Sequence, residues 1–276
     1  MKEYKVDGHV SSFLPEGKNW KLVWADEFDG NTLDETKWSY RLCMMQKRHP
    51  AWGTEGVKLD GNSNAVFTVY EKDGLICSSQ LQTGANFMDA IPASKSAFND
   101  ELHWTIGKLE PAKYTKKFGY FECRCKMQQK PGWWSAFWMQ SPMIGASLDP
   151  ATSGTEIDIM ESFKPGQCIP HWTHSCGYGP DRKSFGAGQG RENLALDEYH
   201  TFACLWDETG YTYYIDGVED GHTGTDKIGV SEVPGFILIG TEVNGYRHEG
   251  HAPTEEAKAA VGDKFIVDYV RVFDVE

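Results

Sequence analysis

The sequence predicts an all-β sandwich, and three observations carry that prediction. Short segments of alternating apolar and polar residues recur along the whole chain, Gly, Asp and Asn separate them, and a single stretch has a helical period. The segments are 21–24, 65–69, 120–127, 137–139, 156–161, 201–205, 211–215, 236–239 and 265–273. Alternation at period two gives each strand one face for a core. Asp73-Gly74 and Asp216-Gly217 fall where hairpin turns are expected. Residues 254–261 form the one helical stretch. No repeat or low-complexity tract marks a boundary, so residues 1–276 are expected to make one domain, a length that all-β sandwiches reach as single units.

Composition narrows the function classes. Hydrophobic residues make up 40% and aromatics 13%, with ten Trp, more than a core of this size ordinarily needs. That excess points to a surface that stacks flat ligands. The formal net charge of -13 gives the chain no electrostatic reason to approach nucleic acid or an anionic membrane, and heavily sulfated polymers would be repelled unless a local basic cluster intervened. Lys47-Arg48-His49 is one such cluster, although a short run of this kind is usually a solvated loop. No apolar run reaches the roughly 18 residues that span a bilayer, and Met1-Lys2-Glu3-Tyr4-Lys5 has no hydrophobic leader region. The seven Cys form no CxxC pair, which argues against a zinc site and a disulfide framework; Cys168 and Cys176 are the one pair spaced to bridge a short loop.

The chemistry concentrates in Gly154-Thr155-Glu156-Ile157-Asp158-Ile159-Met160-Glu161-Ser162. In a regular strand Glu156 and Asp158 face one way and Glu161 the other. A β-bulge around Ile159-Met160 would return Glu161 to the acidic face, with Ile157 and one of Ile159 or Met160 pointing into the core. Glu156 and Glu161 would then stand roughly 13 Å apart at Cα. Their side chains can lean over Asp158 toward the ~5–5.5 Å carboxyl separation of a retaining glycosidase. Asp158 would hydrogen-bond the nucleophile and hold the two glutamates apart in pKa, so that one stays protonated near neutral pH. A solvated edge strand is a poor alternative because three carboxylates on one face repel one another. A calcium site, which also wants clustered oxygens, is a better one.

These residues, with blocks on either side, resemble glycoside hydrolase family 16 over nearly the whole chain. Glu156-x-Asp158-x-x-Glu161 looks like the bulged form of that family's signature. The segment Gly119-Tyr120-Phe121-Glu122-Cys123-Arg124 through Trp134-Ser135-Ala136-Phe137-Trp138-Met139 is similar to the strands that precede it. Leu22-Val23-Trp24-Ala25-Asp26-Glu27-Phe28, Tyr199-His200-Thr201-Phe202 with Trp206, Tyr214-Ile215-Asp216-Gly217 and Val267-Asp268-Tyr269-Val270-Arg271-Val272 match further blocks in the family's order. The resemblance implies a concanavalin-like β-jelly-roll with a cleft across its concave sheet. It also implies Glu156 as nucleophile, Asp158 as its helper and Glu161 as general acid/base. The implied reaction is endo-hydrolysis of β-1,3 or β-1,4 links in a β-glucan or β-galactan, with no cofactor required; the expected partner is thus a polysaccharide, met by a monomer that is secreted, periplasmic or at the cell surface.

The supporting residues follow the same alternation. Trp134 and Trp138 share a face and are expected in the cleft, with Trp133, directly upstream of the acids, turning away yet kept as a further substrate-binding candidate. His174 lies on the next strand and resembles a cleft histidine of the family, with His171 and Trp172 as weaker candidates. Glu242 and Asn244 depart from the family's pattern and are expected either to bind sugar hydroxyls or to make a polar turn. Asn64 resembles an asparagine that approaches the cleft in relatives. A structural calcium on the convex face would use Asp268, with Glu27 beside it. Long aromatic and polar loops at 41–64, 82–104 and 177–192 should shape the site. A lectin on the same sandwich would keep the aromatic platform without needing both glutamates; a transglycosylase would keep everything. Acidity and Trp favour a neutral β-1,3-glucan, with galactans and host O-glycans open.

Overall fold

The structure, a computed structural model, describes residues 1–44, 47–84, 111–245 and 252–276, and its frame is two antiparallel sheets packed face to face. One sheet has seven strands in the order Lys183–Ala187, His171–Ser175, Thr155–Ser162, Trp133–Gln140, Phe236–Val243, Gln80–Gln82 and Ser39–Tyr40. The other has eight, with Gly119–Lys126 paired to His200–Asp207 on one side and to Lys264–Val275 on the other. Every strand segment read from the sequence lies within one of the observed strands or runs one residue past it. The reason is local: alternation specifies a half-buried strand without reference to the rest of the chain. Asp73-Gly74 and Asp216-Gly217 turn the expected hairpins, with positive φ at all four residues (52°, 77°, 50° and 73°). The helix Glu255–Ala259 forms where the helical period predicts it, its first turn capped by the Thr254 hydroxyl accepting from Ala257 N at 3.1 Å. A second short helix, Pro150–Ser153, carries no periodic signal.

The core lies between the sheets. Phe121, Cys123, Phe202 and Val270 from the eight-stranded sheet meet Phe137, Met139, Ile157 and Ile237 from the seven-stranded one, all essentially without solvent contact. Each such aromatic or aliphatic side chain contributes on the order of 1.5–3 kcal/mol by burial. Among the described residues all seven cysteines are buried free thiols, so Cys168 and Cys176 do not bridge. The outer face of the eight-stranded sheet carries a second apolar cluster, Tyr120, Ala203, Leu205, Tyr214 and Phe273. The N-terminal hairpin of Lys2–Tyr4 and Ser12–Leu14 contributes Leu14 and Tyr4 to it.

Candidate active site

The strand Thr155–Ser162 is fixed at its start by Gly154. This residue has φ 77°, and a Cβ there would stand 2.3 Å from the Ser141 side chain, so only glycine fits the turn out of the preceding helix. Along the neighbouring strand Trp133–Gln140, Glu156 pairs with Gln140, Asp158 with Trp138, and Glu161 with Ala136. Those three partners are two residues apart and share a face, so the three acids do too. The register shifts between Phe137 and Trp138, which places Ile159 as the extra residue of a β-bulge. The bulge does more than expected for the core: Ile157, Ile159 and Met160 are all buried in it. From the core side, His171 Nδ1 donates to the Ile159 carbonyl at 2.7 Å while its ring stacks on Tyr213 at 4.5 Å. The bulged carbonyl is thereby satisfied.

The acids line a cavity of about 550 Å³ on the outer face of the seven-stranded sheet. One Glu156 oxygen, one Asp158 oxygen and a His174 ring nitrogen lie within 4.8 Å of one another. Gln140 Nε2 donates to Glu156 Oε2 at 3.2 Å, and the Tyr178 hydroxyl donates to the same oxygen. His174 Nε2 stands 3.3 Å from Asp158 and Nδ1 2.6 Å from the Ser184 hydroxyl. Burial, the largest influence, holds His174 below the usual imidazole range, against the opposing charges of Glu156 and Glu161. A neutral ring protonated on Nε2 then satisfies both contacts.

Alternation sends Trp134, Ala136, Trp138 and Gln140 to the cavity and Trp133, Phe137 and Met139 to the core. Trp133 is therefore not a cavity residue: it is fully buried, its Nε1 donating to Asp263 at 2.9 Å. Trp134 packs on Phe163 at 5.3 Å, and the Arg41 guanidinium lies 5.0 Å over the Trp138 ring, so part of that indole is already covered. Glu242 lines the cavity opposite Trp134. Asn244 is absent from the lining and shapes a turn, its N–H donating to Gly132 O at 3.0 Å and its carbonyl accepting from Thr254 N. Asn64 also belongs elsewhere, accepting from the Tyr199 hydroxyl at 2.7 Å beside the eight-stranded sheet. Asp268 is paired with Arg124, and Glu27 takes both Nε and Nη2 of Arg271 at 2.8 Å. These two carboxylates do not fit a calcium, since each already has a guanidinium partner.

Sequence reasoning missed Arg41, Trp52, Gln80, Gln82, Gln140, Tyr178, Arg182 and Phe236, all of which line the cavity. Gln140 was within reach, since it continues the 134–136–138 alternation. Arg41, Trp52, Tyr178 and Arg182 come from the loops singled out at 41–64 and 177–192, whose periodicity says nothing about which residue turns inward. The third loop lies mostly outside the described residues, as do the side chains of Lys47 and Arg48, whereas His49 is buried against Trp52 at 4.2 Å.

The family profile described as "Beta-porphyranase A-D, GH16 domain" matches residues 20–275. The chain belongs to glycoside hydrolase family 16. It is 28% identical over 269 residues to a glucan endo-1,3-beta-glucosidase A1 from Niallia circulans, covering 91% of this chain and 37% of that protein. The chain thus spans little more than a third of that relative. It is 28% identical over 225 residues to beta-porphyranase E from Zobellia galactanivorans, covering 74% of this chain and 69% of that one. The laminarinase from Rhodothermus marinus superposes with a TM-score of 0.67 at 21% identity, over 95% of this chain and 100% of its own. That likeness establishes the β-jelly-roll.

Proposed function

We propose that this family 16 protein is an endo-acting, retaining β-glycosidase in which Glu156 is the nucleophile, Glu161 the general acid/base and Asp158 the partner of Glu156. The observation that carries the reading is the single bulge at Ile159, which turns Glu161 onto the face of Glu156 and Asp158 inside a Trp-lined cavity. A Glu156 oxygen bonds to the anomeric carbon as the glycosidic C–O bond breaks, and Glu161 gives its proton to the departing oxygen. Water then attacks the same carbon, its proton passes to Glu161, and the C–O bond to Glu156 breaks with the electron pair returning to the carboxylate. Retention follows from the two inversions.

Within β-glucans and β-galactans, the family profile and the porphyranase relative favour a β-galactan. Arg41 and Arg182 on the cavity wall supply the local positive charge that an anionic galactan would need against a net charge of -13. The Niallia relative, an endo-1,3-glucosidase by name, supports a β-1,3-glucan as the second reading. A polymeric substrate supports an enzyme that works outside the cytoplasm, and we read it as a monomer; no described helix is long and apolar enough to cross a membrane. The test is reducing-end release from porphyran, agarose, laminarin, mixed-linkage glucan and mucin glycans, with Glu156→Gln beside the wild type. Release from one galactan that vanishes in the variant is the expected result. Binding without release by both proteins would replace the hydrolase with a lectin, and release from laminarin alone would replace the galactan with the glucan.

A further inference from the structure

Tyr178 lies in the connection between strands His171–Ser175 and Lys183–Ala187, outside every strand that carries the acids. Its hydroxyl nevertheless reaches the cavity, donates to Glu156 Oε2 and accepts from Gln140 Nε2, while Gln140 Nε2 donates to that same oxygen at 3.2 Å. The three groups form a closed triangle on one carboxylate oxygen. Gln140 is set by its place opposite Glu156 in the ladder, whereas Tyr178 arrives from a loop.

We propose that Tyr178 is a positioning residue for Glu156: it holds one carboxylate oxygen so that the other faces the anomeric carbon, and it stabilises the carboxylate as it leaves the glycosyl intermediate. The inference rests on Glu156 being the nucleophile. Two donors on one oxygen fix rotation of the carboxylate plane and leave the second oxygen to form the bond. A hydrogen bond to a carboxylate also favours the charged form over a protonated or esterified one. In the second half-reaction Glu156 is the leaving group, its ester bond breaking as water adds to the sugar. Tyr178 therefore acts most on that step. Burial first, then the charge of Glu156, pushes the phenol well above its ordinary range, so it remains a donor throughout the working pH.

The test is Tyr178→Phe on whichever polymer the wild type hydrolyses, measured as kcat, kcat/KM and their pH profiles, with Glu156→Gln as reference. The acid limb of kcat/KM should move up by roughly one pH unit, since a donor to a charged group is removed. At pH values above that limb kcat should fall about tenfold while KM falls with it, because the ester intermediate accumulates. Mass spectrometry of the quenched variant should show the glycosyl adduct. Tyr178 replaced by 3-fluorotyrosine, a stronger donor of nearly the same shape, should move the acid limb the other way, which keeps the test decisive if the Phe variant folds poorly. An unmoved acid limb in both variants, or equal losses in kcat and kcat/KM without an adduct, would overturn the proposal. An active Glu156→Gln would instead overturn the nucleophile assignment itself, a different result from the same assay.

Discussion

On the outer face of the eight-stranded sheet, Glu122 is shut from solvent beneath Ser12, Tyr269 and the Arg271 guanidinium, whereas in the cavity of the other sheet Glu156 is held by the uncharged donors Gln140 and Tyr178. Burial pushes the Glu122 carboxyl up, and its hydrogen bonds and Arg271 pull it back. Arg271 is itself fully buried, gripping Glu27 twice and donating to Val10 O at 2.7 Å and to the Ser12 hydroxyl at 2.8 Å. That network ties the N-terminal segment to the sheet. Fixed cations make a carboxylate a structural strut, while neutral donors orient one and leave it available to react. The same residue type serves stability on one sheet and chemistry on the other.

Five substitutions and one titration sharpen that contrast. The largest expected effect is on the cavity side: Glu156→Gln should lower turnover by at least about 10³-fold in a reducing-sugar assay. Its unfolding midpoint should stay near the wild type, because an amide fills the same space. On the opposite face the pattern should invert. Arg271→Ala leaves Glu27 and Glu122 without their cation and should cost about 3–5 kcal/mol in urea unfolding, with the folded fraction still turning over normally. Full stability in that variant would show the outer network to be dispensable.

The neighbouring indoles offer the same contrast one residue apart. Trp133→Ala empties the core and removes one donor from Asp263, which keeps the backbone N–H groups of Gln129 and Lys130, so a loss of about 3–5 kcal/mol is expected, chiefly from the cavity, whereas Trp134→Ala should raise KM by about tenfold with little change in melting temperature. Equal effects on stability would mean that both rings are core. The smallest effect is a pH dependence. Burial lowers His171 and His174 from the ordinary imidazole range, so the folded state binds protons less readily than the unfolded chain. Their contribution to stability is fully present above the unfolded pKa of about 6.5 and is lost as pH falls below it. Thermal melts at pH 7.5 and 5.5 should show the drop, and His174→Gln should shrink it. A midpoint that rises on acidification would contradict the sign.

The strands, both Asp-Gly hairpins, the capped helix and the shared face of Glu156, Asp158 and Glu161 were determined by the sequence itself. Period-two alternation and turn chemistry act between near neighbours, and the spacing of three acids has one register that places them together, the bulged one. Strand parity also turned Trp133 inward and Trp134 and Trp138 to the cavity, whereas keeping Trp133 as a substrate-binding candidate because it adjoins the acids was wrong, since it is fully buried. Tertiary structure alone decided the rest. Tyr178, Arg41 and Trp52 reach the cavity because their loops are carried there by strands far away in sequence, and no local pattern records that approach. Asp268, Asn64 and Asn244 looked available for calcium or sugar, but long-range packing set Asp268 against Arg124, Asn64 against Tyr199 and Asn244 into a turn beside Gly132. A polar side chain's role depends on which partner the fold brings within about 3 Å of it, and that distance is not written in its neighbours along the chain.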